Sequence, residues 1–223
     1  MNVILFGASG MVGQAVLREC LLDKSVERVL SIGRRASGQS HAKLREIILP
    51  DLFDFSIDQA ELKAFDACLF CLGVSSVGMD PAEYKRLTFD LTMGWASLLA
   101  RSNPLMTFVY VSGAGTGGSA KWAQIKGRTE NELLKLFPSS YMIRLGALRP
   151  MHGEVSKTRW TRVGYLVVRP ILPLIAAVAP SAIISSEELG RAMLHLAKEG
   201  ASKRILGNVE LRALLQDTSK VSI

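Results

Sequence analysis

The chain has 223 residues, 48% of them hydrophobic and 21% charged. That balance suits one packed domain with a small appendage and excludes a disordered or fibrous chain. Lys and Arg number 27 against 20 Asp and Glu, so the formal charge is +7 and anionic partners are favoured. Three cysteines, Cys20, Cys68 and Cys71, are too few for a disulfide scaffold and point to a reducing compartment such as the cytoplasm. His41, His152 and His195 have no metal-ligand spacing around them, so no metal site is expected.

An apolar run over residues 2–6 predicts a first strand. It is too short for a secretory leader and leads straight into glycines. Val12, Ala15, Val16 and Leu22 recur at helical spacing and predict a helix. Residues 28–32 and 44–49 read as the second and third strands, the latter ended by Pro50. A fourth strand is expected over 66–72, then a turn-rich stretch over 73–78. Asp80 and Pro81 form an N-cap and first-turn pair that opens a helix running toward Ala100. A fifth strand over 106–111, a helix over 122–137 and a sixth strand over 141–145 follow.

Past about Arg149 the regularity weakens. Residues 163–184 are apolar but broken by Arg169, Pro170, Pro173 and Pro180, a poor membrane span. They read as a lid over a pocket or a dimer face. Arg159, Trp160, Arg162 and Arg169 also suit peripheral membrane contact. A capped helix is expected over 185–199, where Glu187 and Glu188 precede Leu189, Met193 and Leu196.

Strands that alternate with helices imply βαβ units, and right-handed crossovers turn these into a doubly wound parallel sheet. The expected fold is therefore α/β, a single domain over 1–223 in which about 149–223 form a helical or irregular substrate or lid region. Cys68 and Cys71 have redox-motif spacing, but residues three apart in a strand point to opposite faces, so both read as structural.

Gly7, Gly10 and Gly13 sit between the first strand and the first helix. Gly7 permits the tight turn, Gly10 lets backbone approach a diphosphate, and Gly13 lets the helix pack close to the sheet. Backbone amides of Ser9, Gly10, Met11 and Val12 at the helix start then face the phosphates. This context makes the triplet a dinucleotide site of the Rossmann type. After the second strand, where an NAD site would place an acid for the ribose hydroxyl, the chain has Arg34 and Arg35. A guanidinium forks onto a 2′-phosphate, so NADP(H) is expected over NAD(H). Asp51 is a weaker candidate for the adenine amino group.

Glycines at the first, fourth and seventh positions resemble those of short-chain dehydrogenase-like proteins. Ile32-Gly-Arg-Arg35, Cys71-Leu-Gly-Val-Ser-Ser76, Val109-Tyr-Val-Ser112 and Ile125-Lys-Gly-Arg-Thr-Glu130 extend the likeness. So do Arg144-Leu-Gly146 and Glu187-Glu-Leu-Gly-Arg-Ala-Met193. Together they resemble the atypical short-chain dehydrogenases/reductases, and among them the NmrA-like and Tat-interacting-protein-like NAD(P)-binding proteins. The resemblance implies a catalytic serine at Ser112, a lysine at Lys126 that holds the nicotinamide ribose, and cofactor contacts from the backbone of Leu72 and Gly73 at the end of the fourth strand. Ser75 and Ser76 read either as reaching the nicotinamide side or as turn caps. The resemblance also implies a tyrosine four residues before the lysine, which here is Trp122. An indole N–H donates a hydrogen bond but is no acid or base near neutral pH. Losing a general acid typically costs 10²–10⁴-fold. Tyr110, two residues before Ser112, is the one candidate replacement. Two uses follow: an NADP(H)-dependent oxidoreductase or epimerase-like enzyme acting on a small molecule, or a non-catalytic NADP(H)-sensing regulator with a protein partner. A homodimer is compatible with both, and no nucleic-acid module is present.

Overall fold

The computed structural model describes residues 1–154 and 183–220. Strands β1 (Asn2–Phe6), β2 (Arg28–Gly33), β3 (Leu44–Ile48), β4 (Ala67–Phe70), β5 (Thr107–Val111) and β6 (Ser140–Ile143) lie where the apolar runs predict them, within two residues at each end. Every neighbouring pair in the main sheet is parallel. A short pair, β7 (Ala147–Arg149) and β8 (Ile183–Ser185), forms a separate two-stranded sheet. Strand β9 (Ile205–Leu206) closes the main sheet, whose order is β3-β2-β1-β4-β5-β6-β9. The order reverses direction between β1 and β4, which is where open α/β sheets bind ligands.

Both faces of the sheet are covered, so its strands are apolar at consecutive positions rather than alternate ones. Val3, Leu5, Leu69 and Val109 face one core; Ile4, Phe6, Phe70 and Phe108 face the other. The first core lies under α1 (Met11–Leu22), α6 (Ser186–Lys198) and α7 (Asn208–Lys220). The second lies under α4 (Leu91–Ser102) and α5 (Lys121–Leu136), with Trp95 fully buried and its Nε1 donating to Leu52 O at 2.9 Å. Cys68 belongs to the second core and Cys71 packs against the first, as strand geometry requires. All three thiols are free. Burial pushes the Cys20 thiol up to about 12, and those of Cys68 and Cys71 well above their usual range.

Two helix starts behave as the sequence indicates. Asp80 Oδ1 accepts from Ala82 N (2.8 Å) and Glu83 N (3.3 Å) and opens α3 (Pro81–Lys85). A π-helical turn over Arg86–Asp90 joins α3 to α4, so the expected helix is continuous but not uniform. Ser185 and Glu188 form a reciprocal capping box at α6. The chain also makes a single helical turn, α2 (Gln59–Leu62).

The apolar stretch 163–184 lies outside the described residues except for Ile183 and Ile184, which form β8 beside β7. Residues 183–220 supply β9 to the main sheet and two helices to its first core. Among the described residues no helix is long and apolar enough to cross a membrane.

Candidate nucleotide and acid–base site

Gly7 adopts φ +84° at the end of β1, a backbone state that a side chain disfavours. A Cβ on Gly7 would lie 2.8 Å from Cys71 O, because the turn packs against the backbone that leaves β4. A Cβ on Gly13 would overlap Gly7 O, so the helix approaches its own turn as closely as backbone allows. Gly10 N donates to Gly7 O at 2.9 Å, and Gln14 Nε2 donates to Ser9 O at 3.1 Å, fixing the turn. Gly10 is the N-cap, no side chain caps the helix and no acid stands in its first turn. The amides of Met11, Val12 and Gly13 therefore point out of an uncapped, positive helix end. The geometry is a cradle that a Cβ would fill, and it fits a diphosphate.

Arg34 and Arg35 lie fully out in solvent at the loop after β2. Neither makes an ion pair among the described residues. A groove of about 510 Å³ runs from Ala8 of the glycine turn along Gln14 and Arg18 to Ser37, Gln39 and His41 of the loop that carries the two arginines.

Leu72 is half-buried beside Gly7, whereas a Cβ on Gly73 would meet nothing within 4 Å, so packing does not require glycine there. Ser75 Oγ accepts from Val77 N at 3.2 Å, which makes it a turn cap. Asp51 Oδ1 accepts from Phe53 N at 2.9 Å and is likewise a turn-former.

Ser112, Lys126, Glu130 and Arg144 come together where β5, α5 and β6 meet. Ser112 is buried; its Oγ is 2.6 Å from Glu130 Oε1 and 3.1 Å from Ile143 O. Both neighbours are acceptors, so the hydroxyl proton is committed inward. Lys126 Nζ donates to Ser112 O at 3.2 Å. Burial lowers the Lys126 ammonium to about 8, against the opposing pull of Glu130. Glu130 is 1% exposed and accepts from Arg144 Nη2 at 2.7 Å and Nε at 3.2 Å. The Arg144 guanidinium is held further in its charged form by that carboxylate.

Glu130 and Arg144 lie within stretches the sequence likeness already marks, but that likeness gave them no role; the geometry adds them to the candidate site. Their signal was present: Glu130 stands one turn beyond Lys126, and a carboxylate and a guanidinium facing inward need each other.

Tyr110 does not replace the missing tyrosine. It is 1% exposed, packs against Phe70 in the second core and lies beside the Thr129 hydroxyl. Burial drives its phenol well above the usual range. Trp122 is half-buried with its ring edge over Gly115, which adopts φ +86°; a Cβ there would sit 3.4 Å from the ring. The loop between is tight: Ala114 N donates to Leu145 O, Thr116 Oγ1 to Gly113 O and Gly117 N to Ala123 O.

Comparison with known proteins agrees on the architecture. A short-chain dehydrogenase family protein from Francisella tularensis superposes with a TM-score of 0.65 at 15% identity, covering 95% of this chain and 98% of that one. The fold is that of the short-chain dehydrogenases and reductases. The UDP-glucuronic acid 4-epimerase of Bacillus cereus, solved with NAD, gives a TM-score of 0.69 at 12% identity, over 93% of this chain and 78% of that one. In sequence, the chain is 32% identical over 143 residues to leucinostatins biosynthesis cluster protein T of Purpureocillium lilacinum, covering 61% of this chain. It spans about half (52%) of that relative. Protein FMP52-1, mitochondrial, of Scheffersomyces stipitis is 25% identical over 153 residues, 66% of this chain and 67% of that protein. No protein-family profile matches the chain.

Proposed function

We propose that the protein binds NADP(H) and acts as an oxidoreductase or epimerase-like enzyme on a small carbonyl or alcohol substrate. The observation that carries the reading is the glycine cradle at the uncapped start of α1, with two exposed arginines on the loop after the neighbouring parallel strand β2. The α1 amides would hold the diphosphate. Arg34, with Arg35 beside it, would fork onto the 2′-phosphate from the loop whose Ser37, Gln39 and His41 line the groove. The Leu72 backbone lies beside Gly7 of the cradle, and Lys126, bonded to Ser112 O just past β5, would hold the nicotinamide ribose. A bound nicotinamide supplies hydride chemistry there. The solved epimerase held with NAD supports a nicotinamide dinucleotide; the preference for the phosphorylated form rests on Arg34 and Arg35. Residues 149–223 would shape the substrate side.

A second reading is favoured by Trp122 and by the inward Ser112 hydroxyl: an NADP(H)-sensing protein without turnover, whose partner, membrane surface or second copy responds to the bound state.

Thermal unfolding with saturating NADPH or NADH, on the wild type and Arg34→Ala, tests the cofactor. A ligand at 100 times its Kd stabilises by about 2.7 kcal/mol, roughly 5–10 °C for a chain this size. NADPH should shift the melting temperature, NADH much less, and Arg34→Ala should remove the difference. No shift with either dinucleotide refutes the reading. Turnover of carbonyl compounds with NADPH then separates enzyme from sensor.

A further inference from the structure

We propose that the acid–base group of this site is the Lys126 amine itself, which gives its proton to a carbonyl oxygen, the part a side-chain hydroxyl would otherwise play. The inference rests on the dinucleotide reading above and extends it to the proton.

It follows from where the hydroxyls go. The Ser112 proton is turned inward to Glu130 or Ile143 O. The Tyr110 phenol is sealed in the second core beside Thr129. Trp122, one turn before Lys126 on α5, has an N–H that does not ionise near neutral pH. Of these groups, Lys126 combines a transferable proton with spare hydrogen-bonding capacity. Among the described residues its Nζ makes one hydrogen bond, at 3.2 Å to Ser112 O, although an ammonium has three donors. Two N–H directions remain for a ligand.

The charged groups around it set its proton affinity. Glu130, on the same helix, favours the ammonium, and Arg144, just after β6, offsets that charge by pairing with the same carboxylate. Burial then tips the amine toward release, with a midpoint of about 8, in the range where a general acid works best. In the step, an Nζ–H bond breaks and an O–H bond forms on the substrate oxygen. The electron pair stays on nitrogen, and water restores the proton. The pair that reduces the carbonyl arrives with the hydride of the nicotinamide.

The test is pulsed acetylation of the whole protein with acetic anhydride from pH 6 to 11, with each lysine read by peptide mass spectrometry. The Lys126 labelling rate should rise with a midpoint near 8, well below the ordinary lysine value of about 10.4, with exposed Lys24 and Lys63 followed in the same spectra as internal references. In Glu130→Gln the midpoint should fall further, because the carboxylate that holds the proton is gone. NADPH should slow labelling of Lys126 and leave Lys24 unchanged. A midpoint near 10 overturns the proposal even if NADPH raises the melting temperature. So does NADPH that binds by thermal shift yet leaves the Lys126 rate unaltered. A midpoint near 8 with no NADPH shift instead puts the failure in the cofactor reading, and the proton-transfer step falls with it. With a carbonyl compound that is turned over, the rate should decline above the same midpoint; a rate flat through pH 8 also overturns the proposal.

Discussion

Replacing Glu130 by glutamine removes one charge and almost no volume, at the point where four side chains meet. The carboxylate is 1% exposed and accepts from the Ser112 hydroxyl and from two nitrogens of Arg144. The amide of Glu130→Gln can still accept from Ser112. Its NH₂ then faces a guanidinium, donor against donor. Breaking a buried pair by removing one partner typically costs about 3–5 kcal/mol. Arg144, however, is 36% exposed and can turn to water, which recovers part of that. The loss should therefore be close to one charge-assisted hydrogen bond, about 2 kcal/mol. For a chain of this length that is a fall of roughly 4–8 °C in melting temperature. Urea unfolding at pH 7 measures it directly. A double-mutant cycle with Arg144→Gln should give a coupling energy of about 1 kcal/mol or more. A cost for Glu130→Gln below about 0.5 kcal/mol, or no coupling, would mean that the pair is a surface contact and does not organise the site.

Gly13→Ala should both weaken NADPH binding and destabilise the fold, by about 1–3 kcal/mol, because the new methyl overlaps Gly7 O; normal binding in this variant would refute the cradle geometry. Lys126→Met should raise stability at pH 7. The folded-state value of about 8 lies below that of the unfolded chain, so between pH 8 and about 10.5 the unfolded state binds the extra proton and stability of the wild type rises with pH. The advantage of the variant should accordingly shrink from pH 7 to pH 10 in chemical denaturation, and a constant difference would contradict the lysine's environment. Thiol titration with a disulfide reagent at pH 8 should find Cys20, Cys68 and Cys71 almost inert until denaturant is added, since burial keeps all three protonated. Rapid reaction of any of them in the native protein would be inconsistent with these cores. Trp95→Phe should cost about 1–2 kcal/mol in urea unfolding, by leaving Leu52 O without its donor.

Most of the sheet was legible because its strands are buried on both faces and so stand out as short continuous apolar runs. The glycine turn was legible for a different reason: Gly7 and Gly13 answer steric demands that only backbone can meet. Strands β7 and β9 escaped notice, being three and two residues long, too short for any periodicity. Their places are set by partners distant in sequence. Helix α3–α4 was anticipated from Asp80 and Pro81, but the π-helical turn inside it leaves no composition signal. In the site, motif likeness located Ser112 and Lys126, yet could not say which way a hydroxyl points. The inward turn of Ser112 depends on Glu130, and the sealing of Tyr110 depends on which face of β5 is covered by α5. Both are facts of packing rather than of local sequence.

The contact between Gly7 and the backbone at Cys71 bears on how the protein comes off the ribosome. The cradle is encoded within the opening residues, but its turn is pinned only when β4 has emerged and paired with β1. Helix α1 then waits longer still, because one of its flanks packs against α6, where Gly190 sits against Ala15 and Glu19. A nascent chain released at Arg149 would contain every glycine and arginine of the nucleotide site while leaving the apolar flank of α1 bare. Such a fragment should be held by chaperones rather than by dinucleotide.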